Sequence, residues 1–228
     1  PNMFKLGILI ISFCPGGSTT NLLSFLFKAN VSLSVTLSIA NGFLCLLSIP
    51  LFMNLSAAYF STQAFEFVVP YNEIVINLLL LLLLPAVLGI ILNGFFAKIV
   101  NKATTILKIV LPALLAIVFG VKIFASSDSG GILLSSEDLL QILPPLLALN
   151  LTSILLGYFG SSTVKLSQKN ALTIGIETGL QNTALALLIA VSLNDVGFQK
   201  PAVVYAAFSF FSTALIVWGI KKGLMHKA

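Results

Sequence analysis

Three stretches of this sequence place residues able to do chemistry inside otherwise apolar surroundings. The first is Cys14-Pro15-Gly16-Gly17-Ser18-Thr19-Thr20-Asn21. The second is Glu177-Thr178-Gly179-Leu180-Gln181-Asn182. The third is the series Asn30, Ser34, Ser38, Asn41 and Cys45, whose steps of four, four, three and four residues put all five on one helix face. Of seven acidic residues, Glu177 alone has long apolar stretches on both sides. A carboxylate at membrane depth costs about 3 kcal/mol on insertion scales, so it needs a partner and usually marks an ion path. Gln181 and Asn182 follow within one glycine-loosened turn, so a carboxylate and two amides converge. In the first stretch, Pro15 removes a backbone donor and crowds the preceding turn, and the two glycines weaken the helix further. A helix broken there bares backbone groups that lipid cannot satisfy, so the break must be buried in protein or line a cavity. Plainer readings compete: a proline kink with packing glycines, a structural glutamate, and small residues that merely pack helices.

The elements that position these residues follow from composition. The chain has 228 residues, 58% hydrophobic and 8% charged, with mean hydropathy +1.08. Soluble domains run near a quarter charged, so the expected class is an all-α membrane protein. About twenty apolar residues span a bilayer as helix. Seven segments qualify: 3–28, 31–54, 72–98, 102–125, 138–162, 169–193 and 198–222. Strands are a poor alternative, because the runs are too long and lack period-two alternation.

All twelve basic residues are lysine. Lys28, Lys98, Lys102, Lys165, Lys169, Lys221, Lys222 and Lys227 follow the odd-numbered segments, whereas Glu66, Glu73, Asp128, Glu137, Asp138 and Asp195 occupy the other connections. This positive-inside alternation predicts a multi-pass cell-membrane protein with a cytoplasmic C-terminus. Lys5, Lys122 and Lys200 are exceptions. Trp218, Tyr59, Tyr71 and Tyr158 near segment ends fit an interfacial belt. Cys14 and Cys45 form neither a zinc motif nor a disulfide framework, and His226 lies in the basic tail. No basic cluster interleaved with aromatics appears, so nucleic acid is not an expected partner; the lipid bilayer is.

Segments one and six, the two interrupted ones, lie an odd number of elements apart and so run in opposite directions. Each is followed by one more long helix. That is the pattern of inverted-topology repeats whose discontinuous helices meet near the midplane. With a five-helix unit, segments three to seven make the second repeat and segments one and two end the first. About three N-terminal helices would then be missing, in keeping with an opening at Pro1.

Ile11 to Asn21 and Ile176 to Asn182 resemble the two crossing-helix motifs of the bile acid:sodium symporter family, and the likeness extends over the chain, as about the last seven of ten helices. The resemblance implies a sodium-coupled transporter of an organic anion, working by alternating access. It implies a core domain from 1–54 and 138–222, moving against panel helices within 72–125. It also implies sodium ions at two sites. The first would use Thr20, Asn21, Ser34, Ser38 and Glu177; the second would use Glu177, backbone carbonyls of Thr178 and Leu180, and the side chain of Gln181. Hydroxyl, amide, carbonyl and carboxylate oxygens suit a hard cation. The anion would lie near Ser18, Thr19 and Asn182, where a half-helix N-terminus favours negative charge. The chain departs from the family pattern in having Thr20 where many members have serine before the asparagine, and it has Ser38 where threonine is also used; both keep a hydroxyl.

A metalloid efflux carrier of the same superfamily is the nearest alternative, since Cys14 abuts the break; a channel is another. An enzyme is not expected. There is one buried acid, no HExxH, and no histidine near a serine.

Overall fold

A computed structural model of the chain describes residues 1–60, 72, 75–76, 79–80, 84–124, 131–193 and 195–225. Of the residues used in the topology reading, Glu66, Tyr71, Glu73, Asp128, His226 and Lys227 lie outside these. Among the described residues the protein is all-α. Its main helices are α1 (Asn2–Phe13), α2 (Ser18–Leu26), α3 (Val31–Phe60), α4 (Leu84–Phe124), α5 (Ser136–Thr163), α6 (Gln168–Gly179), α7 (Thr183–Ser192) and α8 (Val196–Met225). Three of them are long and apolar enough to cross a membrane: Val31–Phe60, Ser136–Thr163 and Val196–Gly223. The first and sixth predicted segments are each split into two short helices, with breaks at 14–17 and 180–182.

Close to the boundary that the sequence expects between segments three and four, the α4 run is two helices joined across a kink. Its single non-helical residue is Phe96, at φ −131° and ψ 38°. Prolines do not end the long helices. Pro50 sits inside α3, Pro144 and Pro145 inside α5, and Pro201 inside α8. Neighbouring groups in a bundle can re-satisfy the carbonyls such residues free. α5 starts from a reciprocal cap: Ser135 Oγ accepts from the Asp138 N–H and Asp138 Oδ2 from the Ser135 N–H, both at 3.0 Å.

Polarity runs opposite to that of a soluble domain. Leu47, Leu140, Leu156 and Phe211 are among many large apolar side chains on the outside. Thr20, Ser24, Ser34, Asn150, Thr173, Glu177 and Thr213 are all buried. Lipid rewards the first group, while the second needs partners inside the bundle.

Charge separates between the two ends. Lys28 and Lys165 take left-handed backbone, φ 54° and 58°, just beyond α2 and α5. Near them the Lys221 ammonium, from α8, donates to the Phe27 carbonyl at 3.0 Å, where it complements the C-terminal end of α2. At the opposite end Lys200 pairs with Asp138 at 2.7 Å and lies over the Phe4 ring. Lys200, an exception to the lysine pattern, is therefore compensated by charge. Lys5, another exception, lies over the Phe60 ring.

Candidate functional site

The two helix breaks meet. The Asn182 N–H donates to the Pro15 carbonyl at 2.7 Å, and the Gly17 N–H donates to the Leu180 carbonyl at 3.2 Å. These bonds form an antiparallel bridge between Gly16 and Gln181. Each broken helix thus supplies partners that the other has lost, which is how non-helical backbone survives at membrane depth. Asn182 then caps α7, its Oδ1 accepting from the Leu185 N–H at 3.0 Å.

Glu177 lies one turn before this bridge and is only 3% exposed. Its Oε1 accepts from Ser38 Oγ at 2.7 Å and its Oε2 from Ser34 Oγ at 3.2 Å. Thr20 Oγ1 lies 3.5 Å from Ser38 Oγ and bonds back to the Gly17 carbonyl at 2.7 Å. Asn21 Oδ1 is buried without a hydrogen-bond partner. One carboxylate and three hydroxyls therefore converge from α2, α3 and α6, and Asn21, with its unused amide oxygen, follows Thr20 on α2. No basic side chain pairs with Glu177 among the described residues. Gly16 faces the carboxylate so closely that a Cβ there would overlap Oε1 and Cδ of Glu177. A cleft of about 760 Å³ opens beside the crossing, lined in part by Cys14, Gly16, Asn41, Cys45, Glu177 and Gln181.

Residues 1–133, more than half of the 228, match the family model described as "Sodium Bile acid symporter family". The chain belongs to the sodium bile acid symporter family. It is thus a multi-pass membrane protein of a transporter family, not of an enzyme family. Its relatives include a "Probable sodium/metabolite cotransporter BASS1, chloroplastic" from Oryza sativa subsp. japonica. That protein is 27% identical over 191 residues, covering 83% of this chain and 44% of the relative. "Uncharacterized sodium-dependent transporter YocS" from Bacillus subtilis (strain 168) is 26% identical over 220 residues, covering 95% and 64%. The human "Hepatic sodium/bile acid cotransporter" is 26% identical over 231 residues, covering 98% and 61%. The chain spans roughly half the length of the curated relatives it matches, 44% and 45% for two of them.

Of the sequence-expected residues in this family member, Thr20, Ser34, Ser38 and Glu177 share the hydrogen-bonded cluster, and Asn21 belongs to the same turn of α2. The second set is arranged around the α6 break. The Gln181 amide N–H donates to the Thr178 carbonyl at 2.9 Å, a bond that does not use the amide oxygen. The Leu180 carbonyl already accepts from Gly17, so one lone pair remains on it. Ser18 is exposed and Thr19 half-buried at the start of α2. Neither they nor Asn182 are among the described residues lining the cleft.

One hydrogen-bonded network beside the crossing is not legible in the sequence. The Gly179 carbonyl, at the end of α6, accepts from the Tyr205 hydroxyl and from Asn150 Nδ2, the latter at 2.9 Å. Asn150 Nδ2 also lies 3.0 Å from Thr213 Oγ1, and Ser212 Oγ donates to Asn150 Oδ1 at 2.8 Å. This network ties the α6 break to α5 and α8. Asn150 was visible as a lone amide amid the apolar 146–156 run, and that isolation was the available signal.

Proposed function

We propose that the full-length protein is a sodium-coupled symporter of an organic anion, working by alternating access in the cell membrane with its lysine-rich end and C-terminus in the cytoplasm. The observation that carries this is the Glu177 cluster: an unpaired carboxylate among hydroxyls, beside the unpartnered Asn21 oxygen, where two broken helices cross. An all-oxygen donor set fits a hard cation. A single carboxylate matches one monovalent charge, and a buried acceptor without a donor is what a cation would satisfy. Sodium enters here as co-substrate, since it is carried with the anion; it is not a resident cofactor. The names of the relatives, sodium/metabolite and sodium/bile acid cotransporters, support the same reading.

Thr20, Asn21, Ser34, Ser38 and Glu177 make up the proposed first sodium site. Glu177, the Thr178 and Leu180 carbonyls and Gln181 contribute to the second. Two sodium charges against one carboxylate leave a positive balance that an anionic cargo would offset. Ser18, Thr19 and Asn182, where α2 and α7 begin, are the proposed contacts for it. In this reading the two broken helices are equivalent members of inverted repeats, 1–54 and 138–222 form the core, and 72–125 supplies panel helices.

The serines test the site directly. Ser34→Ala and Ser38→Ala, in the full-length protein, should each raise the sodium concentration for half-maximal uptake about 2- to 10-fold, the worth of ~0.5–1.5 kcal/mol. Ser38 should matter more, because its bond to the carboxylate is the shorter. Unchanged sodium activation in both variants would remove the two hydroxyls from the site.

A further inference from the structure

The polar face that meets Glu177 continues past it toward the lysine-rich end of the bundle. On α2, Ser24 follows Thr20 by one turn; just before α3, Asn30 precedes Ser34 by four residues; on α6, Thr173 precedes Glu177 by one turn. These three helices pack on one another in every pairing. Thr20, Ser24, Ser34 and Thr173 are completely buried.

Ser24 is the odd member of this seam. Serine and threonine in membrane helices ordinarily spend the hydroxyl proton on a carbonyl of the preceding turn. Thr20 does so to Gly17, Ser56 to Phe52, Ser161 to Tyr158 and Thr173 to Lys169. Ser24 Oγ is fully buried and has no hydrogen-bond partner among the described residues. It shares that condition with Asn21 Oδ1, one turn away on the same helix. Beyond it the seam is closed. Asn30 Nδ2 donates to Asn170 Oδ1 at 2.9 Å, and the Asn30 N–H donates to Thr173 Oγ1 at 2.8 Å.

We propose that Ser24 is a way-station for an alkali cation leaving the Glu177 site toward the lysine-rich end, with the Asn30–Asn170 bond as the latch that closes its route. A partly dehydrated cation passing between α2, α3 and α6 meets an oxygen at each turn, and Ser24, one turn beyond Asn21, supplies an oxygen that is not already engaged. The unpartnered hydroxyl becomes a ligand only while the ion passes, so it serves transit and not resting affinity. This inference rests on the sodium reading above.

The test is sodium exchange across proteoliposomes holding the full-length protein, with radioactive sodium as the only probe. Ser24→Ala should slow exchange about 3- to 10-fold while leaving the half-saturating sodium concentration unchanged. Ser24→Thr, which keeps the hydroxyl, should restore the rate. Asn30→Ala, which opens the latch, should raise it. Loss of the Ser24 hydroxyl removes no hydrogen bond, so a folding defect is not expected; the threonine variant shows whether any defect follows the hydroxyl. Exchange by Ser24→Ala at the wild-type rate overturns the proposal. A half-saturation that rises in step with the slowed rate also overturns it, because Ser24 would then belong to the resting site. A wild-type protein that exchanges no sodium overturns the sodium reading itself, which separates the two failures.

Discussion

Glu177→Gln, in the full-length protein, is expected to abolish sodium-driven uptake while expression and membrane insertion persist. The amide keeps the shape of the carboxylate, and its one oxygen can still accept from Ser34 or Ser38, while its NH2 group must donate to the other hydroxyl. What it cannot supply is charge. Unit charges about 4 Å apart in surroundings of effective dielectric near 20 attract by about 4 kcal/mol, on the order of several hundred-fold in cation affinity. Removing a buried charge that has no basic partner relieves the fold, so the variant should be no less stable than the parent. Sodium-dependent uptake by whole cells, normalised to surface protein, reads the effect. Normal transport by the variant would make Glu177 a structural residue.

Gly16→Ala should be nearly as damaging, and for a reason of space. The added methyl overlaps the Glu177 carboxylate. Backbone retreat is blocked on both sides, because Pro15 and Gly17 are each hydrogen-bonded across the crossing, to Asn182 and Leu180. The carboxylate must therefore swing away from Ser34 and Ser38. Uptake should fall at least about 10-fold, with a raised sodium requirement, if one hydrogen bond to a charged group worth ~1.5–3 kcal/mol is lost. Gly42→Ala is the control: an added Cβ there meets no atom within 4 Å, and a helix gains propensity from alanine. Uptake by the two variants in parallel decides it. Equal activity would mean that the crossing tolerates displacement of Glu177.

The sequence reveals the local features of this site and conceals the distant ones. Pro15, Gly16 and Gly17 announce one break and Gly179 the other, because proline and glycine act on the backbone within a turn of themselves. Ser34 and Ser38 share a face because helix periodicity fixes their direction. Glu177 stands out because nothing else in its apolar surroundings carries charge. The meeting of Pro15 with Asn182, by contrast, joins positions far apart in the chain, and no local propensity encodes it. The Asn150–Tyr205–Gly179 network is hidden for the same reason: Tyr205 and Thr213 look like ordinary residues of an apolar helix until Asn150 is opposite them. The Lys200–Asp138 pair shows a further limit. Lysine counting treats each charge as free in its loop, so a compensated lysine registers as an exception. At Phe96 the backbone leaves the helical region two residues before Lys98, so the boundary suggested by the lysines at 98 and 102 has a break in the helix close to it.

A buried carboxylate can carry a proton as well as hold a cation, and the oxygen ligands around Glu177 are what favour sodium. A proton carrier would need only Glu177 and an access path; Thr20, Asn21, Ser34 and Ser38 would be dispensable. The most direct measurement is uptake by the full-length protein from a panel of organic acids, first against sodium at fixed pH and then against pH at fixed sodium. Uptake that rises saturably with sodium, and that an imposed proton gradient does not drive without sodium, is the expected result. Transport that ignores sodium and follows the proton gradient would contradict it, and would leave the crossed broken helices serving a different ion.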